Sequence, residues 1–146
     1  PKIDEMMLDH HYEWDAVQMP LNVLDAQYER SFEREIVPIC VERGIAVLAM
    51  KALAGGHLQR AEVVSPREAH HCIYDLPVST LISGMDTLEH LRRNVETAVT
   101  YTSLGQEERE RILSKAHEAA LTGEYEPFKT TRAFDGRLGR ELHGVI

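Results

Sequence analysis

Three short stretches carry residues whose types and spacing can hold a ligand. Ile82-Ser83-Gly84-Met85-Asp86 passes straight from an apolar run into a helix start. A helix N-terminus at the carboxyl end of a parallel strand presents unpaired N–H groups and a partial positive charge, which favours phosphate. Gly84 lets the backbone come close to such a group, whereas Asp86 would repel a phosphate lying against it. The same five residues also suit a plain tight turn and a capped helix. Lys51, followed by Gly55-Gly56, can cradle a pyrophosphate on a loop, or can be a solvated surface lysine; no Gly-x-x-x-x-Gly-Lys-Ser/Thr motif is present. Gln18, near the end of another apolar run, can offer its amide to a ligand or spend it on neighbouring backbone.

Other chemistries lack their residues. His10-His11 and His70-His71 are adjacent pairs that point apart, and Cys72 has neither a Cys-x-x-Cys nor a His-x-x-x-His setting, so we read them as structural or surface residues and expect no metal. There is no Gly-x-Ser-x-Gly elbow and no Cys–His nucleophile pair. The net charge of -8 argues against nucleic acid. No apolar run approaches the roughly 20 residues that span a bilayer. The N-terminus lacks a basic-then-apolar signal layout, and two cysteines in amphipathic segments, Cys40 and Cys72, suit a reducing, cytoplasmic setting. The first residue is Pro1, in what reads as the middle of a helix (Asp4 to His11), so we expect a piece of a longer chain.

The elements that must position these residues alternate. Trp14 to Pro20 reads as a buried strand. Ser31 to Arg43 is helical, kinked or restarted at Pro38 and stopped by Gly44. Gly44 to Met50 is a strand covered on both faces, and Ala52 to Leu58 leaves it as a flexible loop. Ser65-Pro66-Arg67-Glu68 is a capping box with Pro at the first helical position, followed by the apolar stripe Ala69, Cys72, Ile73, Leu76. After Pro77 comes a third buried strand, Val78 to Ile82. Asp86-Thr87-Leu88-Glu89 caps a helix with Leu88, Leu91, Val95, Ala98 and Val99 along one stripe. A last helix from Ser103 to Gly123 buries Ile112, Leu113, Ala116, Ala119 and Ala120, and pairs Glu107 with Arg111. From Tyr125 to Ile146 we expect a loop or a loosely held extension.

Strand–helix alternation means a parallel sheet with crossovers. Three apolar strands make a poor free-standing sheet. They fit the last third of a TIM barrel, which has eight such units in about 250 residues. The expected fold is therefore α/β: a partial TIM barrel, one region over 1–146, with 122–146 as a C-terminal tail.

The segments also resemble a known family. Asp15-Ala-Val-Gln-Met-Pro-Leu-Asn22, Phe32-Glu-Arg-Glu-Ile-Val-Pro-Ile39 and Glu42-Arg-Gly-Ile-Ala-Val-Leu-Ala-Met-Lys-Ala-Leu-Ala-Gly-Gly56 look like the sixth and seventh βα units of aldo-keto reductases. Leu76-Pro-Val-Ser-Thr-Leu-Ile-Ser-Gly-Met-Asp-Thr-Leu-Glu-His-Leu-Arg-Arg-Asn94 looks like the eighth strand and its helix, and Tyr125-Glu-Pro-Phe-Lys-Thr-Thr131 resembles the tail of a bacterial branch. The resemblance covers nearly the whole chain.

It implies a barrel that binds NADP(H), or NAD(H), in extended form. By resemblance, Gln18 would meet the nicotinamide carboxamide and Met50 would lie under the ring, a position often aromatic in relatives. Lys51, Leu53 and Gly55 would pass the pyrophosphate. Ser83, Gly84, Met85 and Asp86 would meet the adenosine ribose and its 2′ group. Glu89, His90, Arg93 and Asn94 would sit at the adenine, unless Glu89 and Arg93 simply pair with each other. Two departures stand out. Relatives often place Lys-Ser and an arginine at the 2′-phosphate, where this chain has Gly84-Met85 and His90, so NADP over NAD is open. The family's catalytic Asp, Tyr, Lys and His come from early strands, and no residue here matches them.

The resemblance implies that the parent protein reduces a small-molecule carbonyl, an aldehyde or a ketone, to an alcohol, with protonation by a tyrosine whose pKa a lysine lowers. This chain would hold the cofactor, need the missing N-terminal half of the barrel as its partner, and be inactive alone. The other reading is a short non-enzymatic remnant that survives as an oligomerising or interaction module.

Overall fold

The computed structural model describes residues 13–130. The helix expected over Asp4 to His11, the pair His10-His11 and the tail from Thr131 onward lie outside them.

Strand β1 (Ala16–Pro20) leads through a 3-10 turn (Asp25–Gln27) to helices α1 (Phe32–Glu35) and α2 (Val37–Glu42), then to β2 (Ala46–Met50). A second 3-10 turn (Ala54–Gly56) and α3 (His57–Arg60) precede α4 (Pro66–Tyr74) and β3 (Thr80–Leu81). Helices α5 (Leu88–Val99), α6 (Gln106–Thr122) and the short α7 (Pro127–Thr130) complete the described chain. All three strands are parallel, in the order β1-β2-β3. Gln18 is level with Leu48, and Leu48 with Thr80.

Local signals set most boundaries. The Ser31 hydroxyl accepts from Arg34 N at 3.2 Å and caps α1, and the break before Pro38 separates α1 from α2. Gly44 follows α2 with φ +68°, a conformation that costs a glycine little. The capping box at α4 is complete: Ser65 Oγ accepts from Glu68 N, and the Glu68 carboxylate accepts from Ser65 N at 2.9 Å. Gly123 stops α6 with φ +63°.

One core lies between the sheet and its helices. Met19, Val47 and Ala49 face Ile36, Val37, Cys40 and Ile73. A second joins Val23, Leu24, Ala54, Leu58, Ala69 and Cys72 to the α6 stripe Ile112, Ala116 and Ala120. Cys40 and Cys72 are both buried thiols. No described helix is long and apolar enough to cross a membrane.

Five expectations change. Ala52 to Leu58 is not a flexible loop: it folds into two turns, because Ala54 and Leu58 are drawn into the second core. The third strand is neither long nor buried. Only Thr80 and Leu81 pair, Ile82 is exposed, and β3 has β2 as its only described neighbour. The apolar stripe of α5 is not core either: Leu88 and Val99 are 69% and 76% exposed, and Leu91 and Val95 are also open, while Asn94 and Thr97 are buried. Finally, residues 126–130 form an anchored turn rather than a loose extension. Glu126 is 2% exposed, and Lys129 Nζ lies 2.6 Å from Asp25 Oδ1. In addition, Arg111 pairs with Glu108 and Glu68, not with Glu107.

Candidate functional site

The carboxyl ends of β2 and β3 open on a cavity of about 790 Å³. β2 brings Met50 and Lys51 to its edge, and β3 brings Ile82 and Ser83. Leu53, Gly55, Gly84, Asp86, His90 and Arg93 complete the part of the wall that sequence reasoning had named. Gln18, Met85, Glu89 and Asn94 are not on it. Gln18 touches it through Met50, its Nε2 lying 3.1 Å from the thioether sulfur. Asn94 stands behind the wall, donating from Nδ2 to Ser83 Oγ at 3.0 Å and to Gly84 O at 3.5 Å.

The Lys51 backbone is left-handed, φ +56°, which is uncommon for a residue with a Cβ and clusters at functional positions. Its carbonyl is held by Ala54 N at 2.8 Å and by Asn22 Nδ2 at 3.2 Å. Its ammonium stands 5.1 Å from the centre of the Phe128 ring, so the C-terminal turn reaches the same loop. Gly56, at φ +84°, lets Arg60 pack close: a Cβ there would meet Arg60 Nη1 at 3.0 Å.

At the opposite wall, α5 begins with Thr87, whose hydroxyl accepts from His90 N at 3.1 Å. That amide is therefore already used, as in a simple capped helix. Arg93 Nε is buried with no hydrogen-bond partner, and Glu89 forms no ion pair with Arg93. Cations outnumber carboxylates around the cavity, since Lys51, Arg60 and Arg93 face only Glu62 and Asp86. An anion there would have guanidinium groups within reach.

Sequence reasoning missed Gln59, Arg60, Glu62 and His70 as wall residues. The first three fall on or beside the stretch taken for a flexible loop. His70 is 1% exposed and sits within the α4 stripe between Ala69 and Ile73. A polar residue there, among buried apolar ones, was the available signal. Burial, then the charges of Arg93 and His71, push its pKa down to about 4, so the imidazole is neutral near pH 7. Its Nε2 lies 3.4 Å from Ser83 Oγ, and its Nδ1 has no partner. Among the described residues no group of three or more His, Cys, Asp or Glu could hold a metal.

No curated protein matches the chain. A solved structure, the aldo-keto reductase AKR11C1 from Bacillus halodurans in its holo form, is similar in fold, with a TM-score of 0.59 at 19% identity. The likeness covers 79% of this chain and 46% of that one, so the chain spans about half the length of this relative. The model of the Aldo/keto reductase family matches residues 1–73, half of the sequence, and on that match the chain belongs to the aldo/keto reductase family.

Proposed function

We propose that this chain is the cofactor-holding part of an NAD(P)H-dependent oxidoreductase that reduces aldehydes or ketones, and that it corresponds to the last three βα units of the barrel. The observation that carries this reading is the buried, unpartnered Arg93 Nε on the wall of a cation-rich cavity at the carboxyl ends of parallel strands. A buried N–H without a partner is costly, and a phosphate held by this guanidinium would complete it.

The wall residues suit the group, with Gln18, Met85, Glu89 and Asn94 beside the wall rather than on it. Gln18 and Met50 would hold the nicotinamide end, with Lys51, Leu53 and Gly55 along the pyrophosphate. Ser83, Gly84, Met85 and Asp86 would meet the adenosine ribose, with Glu89, His90, Arg93 and Asn94 near the adenine. Bound reduced nicotinamide supplies a hydride for a carbonyl carbon. This chain's own residues bind and orient. None is assigned a proton-transfer role, which is why we propose that the chain alone is inactive and that the groups doing that chemistry sit on the remainder of the barrel. Buried Cys40 and Cys72 suit a cytoplasmic setting.

The bare apolar stripe of α5 favours a second reading, an oligomerising or interaction module. Calorimetry with NADPH and NADH separates the two. Saturable binding supports the cofactor reading, and the ratio of affinities assigns the 2′ preference. Absence of binding to either, with concentration-dependent self-association, supports the module.

A further inference from the structure

The loop between β3 and α5 carries a hydroxyl whose hydrogen bonds can be counted. Ser83 Oγ has two lone pairs and one proton. Asn94 Nδ2 fills one lone pair at 3.0 Å. This orientation leaves Asn94 Oδ1 buried without a partner, but the flipped amide would set that oxygen against Gly84 O, 3.5 Å away, which can only accept. His70 Nε2, at 3.4 Å, is the second partner. A neutral imidazole donates from one nitrogen and accepts at the other. If Nδ1 carried the proton, a buried N–H would have no acceptor, which is the rarer and costlier orphan. The nearby Arg93 charge favours the neutral ring over the imidazolium. The proton therefore belongs on Nε2, where it points to Ser83.

We propose that His70 is a positioning residue of the nucleotide site: together with Asn94 it saturates the acceptors of Ser83, so that the Ser83 hydroxyl is left as a donor only and gives its hydrogen bond to an oxygen of the ligand in the cavity. The matching ligand group is a phosphate or hydroxyl oxygen of a nucleotide, held between Ser83 and the Arg93 guanidinium. The inference rests on the cofactor reading above and deepens it, since His70 lies on the helix before β3, outside the stretches assigned to the cofactor.

The test uses the whole chain and NADPH as the probe, with binding followed by calorimetry and stability by thermal unfolding without NADPH. Ser83→Ala and His70→Leu are each expected to weaken binding about tenfold, the worth of one hydrogen bond. The double variant is expected to be no weaker than either single one, because both remove the same directed proton. His70→Gln, which can place an amide donor near the Nε2 position, is expected to stay within about twofold of the parent. His70→Leu is expected to unfold no earlier than the parent near neutral pH, since it removes the orphaned Nδ1. A histidine that merely fills space would leave NADPH affinity unchanged in His70→Leu. That result, or additive losses in the double variant, overturns the proposal while leaving the cofactor reading intact. Failure of the parent chain to bind NADPH overturns both.

Discussion

Lys129 Nζ lies 2.6 Å from Asp25 Oδ1, with both side chains buried, and so ties the C-terminal turn to the loop after β1. Glu126 holds the same ammonium at 2.8 Å and accepts from Asn22 Nδ2 at 2.7 Å. Asp25 is satisfied further by Phe32 N and Glu33 N at 3.1 and 2.9 Å. Asn22 also holds the Lys51 carbonyl, so the clasp extends to the edge of the cavity.

Removing one member of this clasp strands a buried charge. Lys129→Met is expected to cost about 3 kcal/mol in urea unfolding, in the range for a broken buried ion pair. The Asp25→Asn/Lys129→Met double variant should lose less than the sum of the two single changes. Strict additivity would mean that the contact contributes nothing.

Acid should destabilise the chain in two windows. The His70 pKa lies at about 4, below the ordinary 6.5, so the unfolded chain takes up this proton first. The stability associated with neutral His70 is full above pH 6.5, falls as pH drops to 4, and falls no further below that. At Glu68, burial raises the pKa, but hydrogen bonds from Lys115, Ser65 and Arg111 outweigh it and hold the carboxyl at about 2, below the ordinary 4.5. Its contribution is present above pH 4.5 and is lost as pH falls towards 2. Unfolding midpoints against pH should lose the upper slope in His70→Leu and the lower one in Glu68→Gln. Parallel curves for all three proteins would refute this assignment.

Gly56 combines a left-handed backbone with close approach of Arg60. Gly56→Ala is expected to cost about 1 kcal/mol from the backbone alone, and to weaken NADPH binding by displacing the guanidinium. Unfolding in urea measures the first effect and calorimetry the second. An unchanged urea midpoint would show that this turn rearranges freely.

The open stripe Leu88, Leu91, Val95 and Val99 recurs at helical spacing on α5. Isolated chains are expected to self-associate through it as concentration rises. Leu91→Lys and Val95→Lys should return the sedimentation coefficient to that of a monomer. A parent chain that stays monomeric throughout would rule this out.

Cys72 is a buried thiol whose pKa burial pushes up to about 11, against a lowering by the charge of Arg109. It is expected to resist alkylation near pH 7 until the chain is denatured. Mass spectrometry with and without urea reads the difference.

The sequence by itself determined the order of elements, the parallel strand–helix alternation and the caps at Ser65, Gly44 and Gly123, because these follow from local backbone chemistry and short-range periodicity. It also singled out Lys51, Ser83 and Gly84, which the structure brings to one cavity wall because the ends of parallel neighbouring strands lie side by side. Which apolar stripe becomes core depends on what packs against it. The Leu88-to-Val99 pattern on α5 is as regular as the Ile112-to-Ala120 pattern on α6, yet only the latter finds the Leu24, Leu58 and Ala69 surface. Partners distant in sequence were likewise decided by tertiary structure: Lys129 with Asp25, Asn22 with Glu126, and Ser83 with His70 and Asn94. The first two pairs form where burial removes water as the alternative partner, and all of them exist only once separate elements have come together.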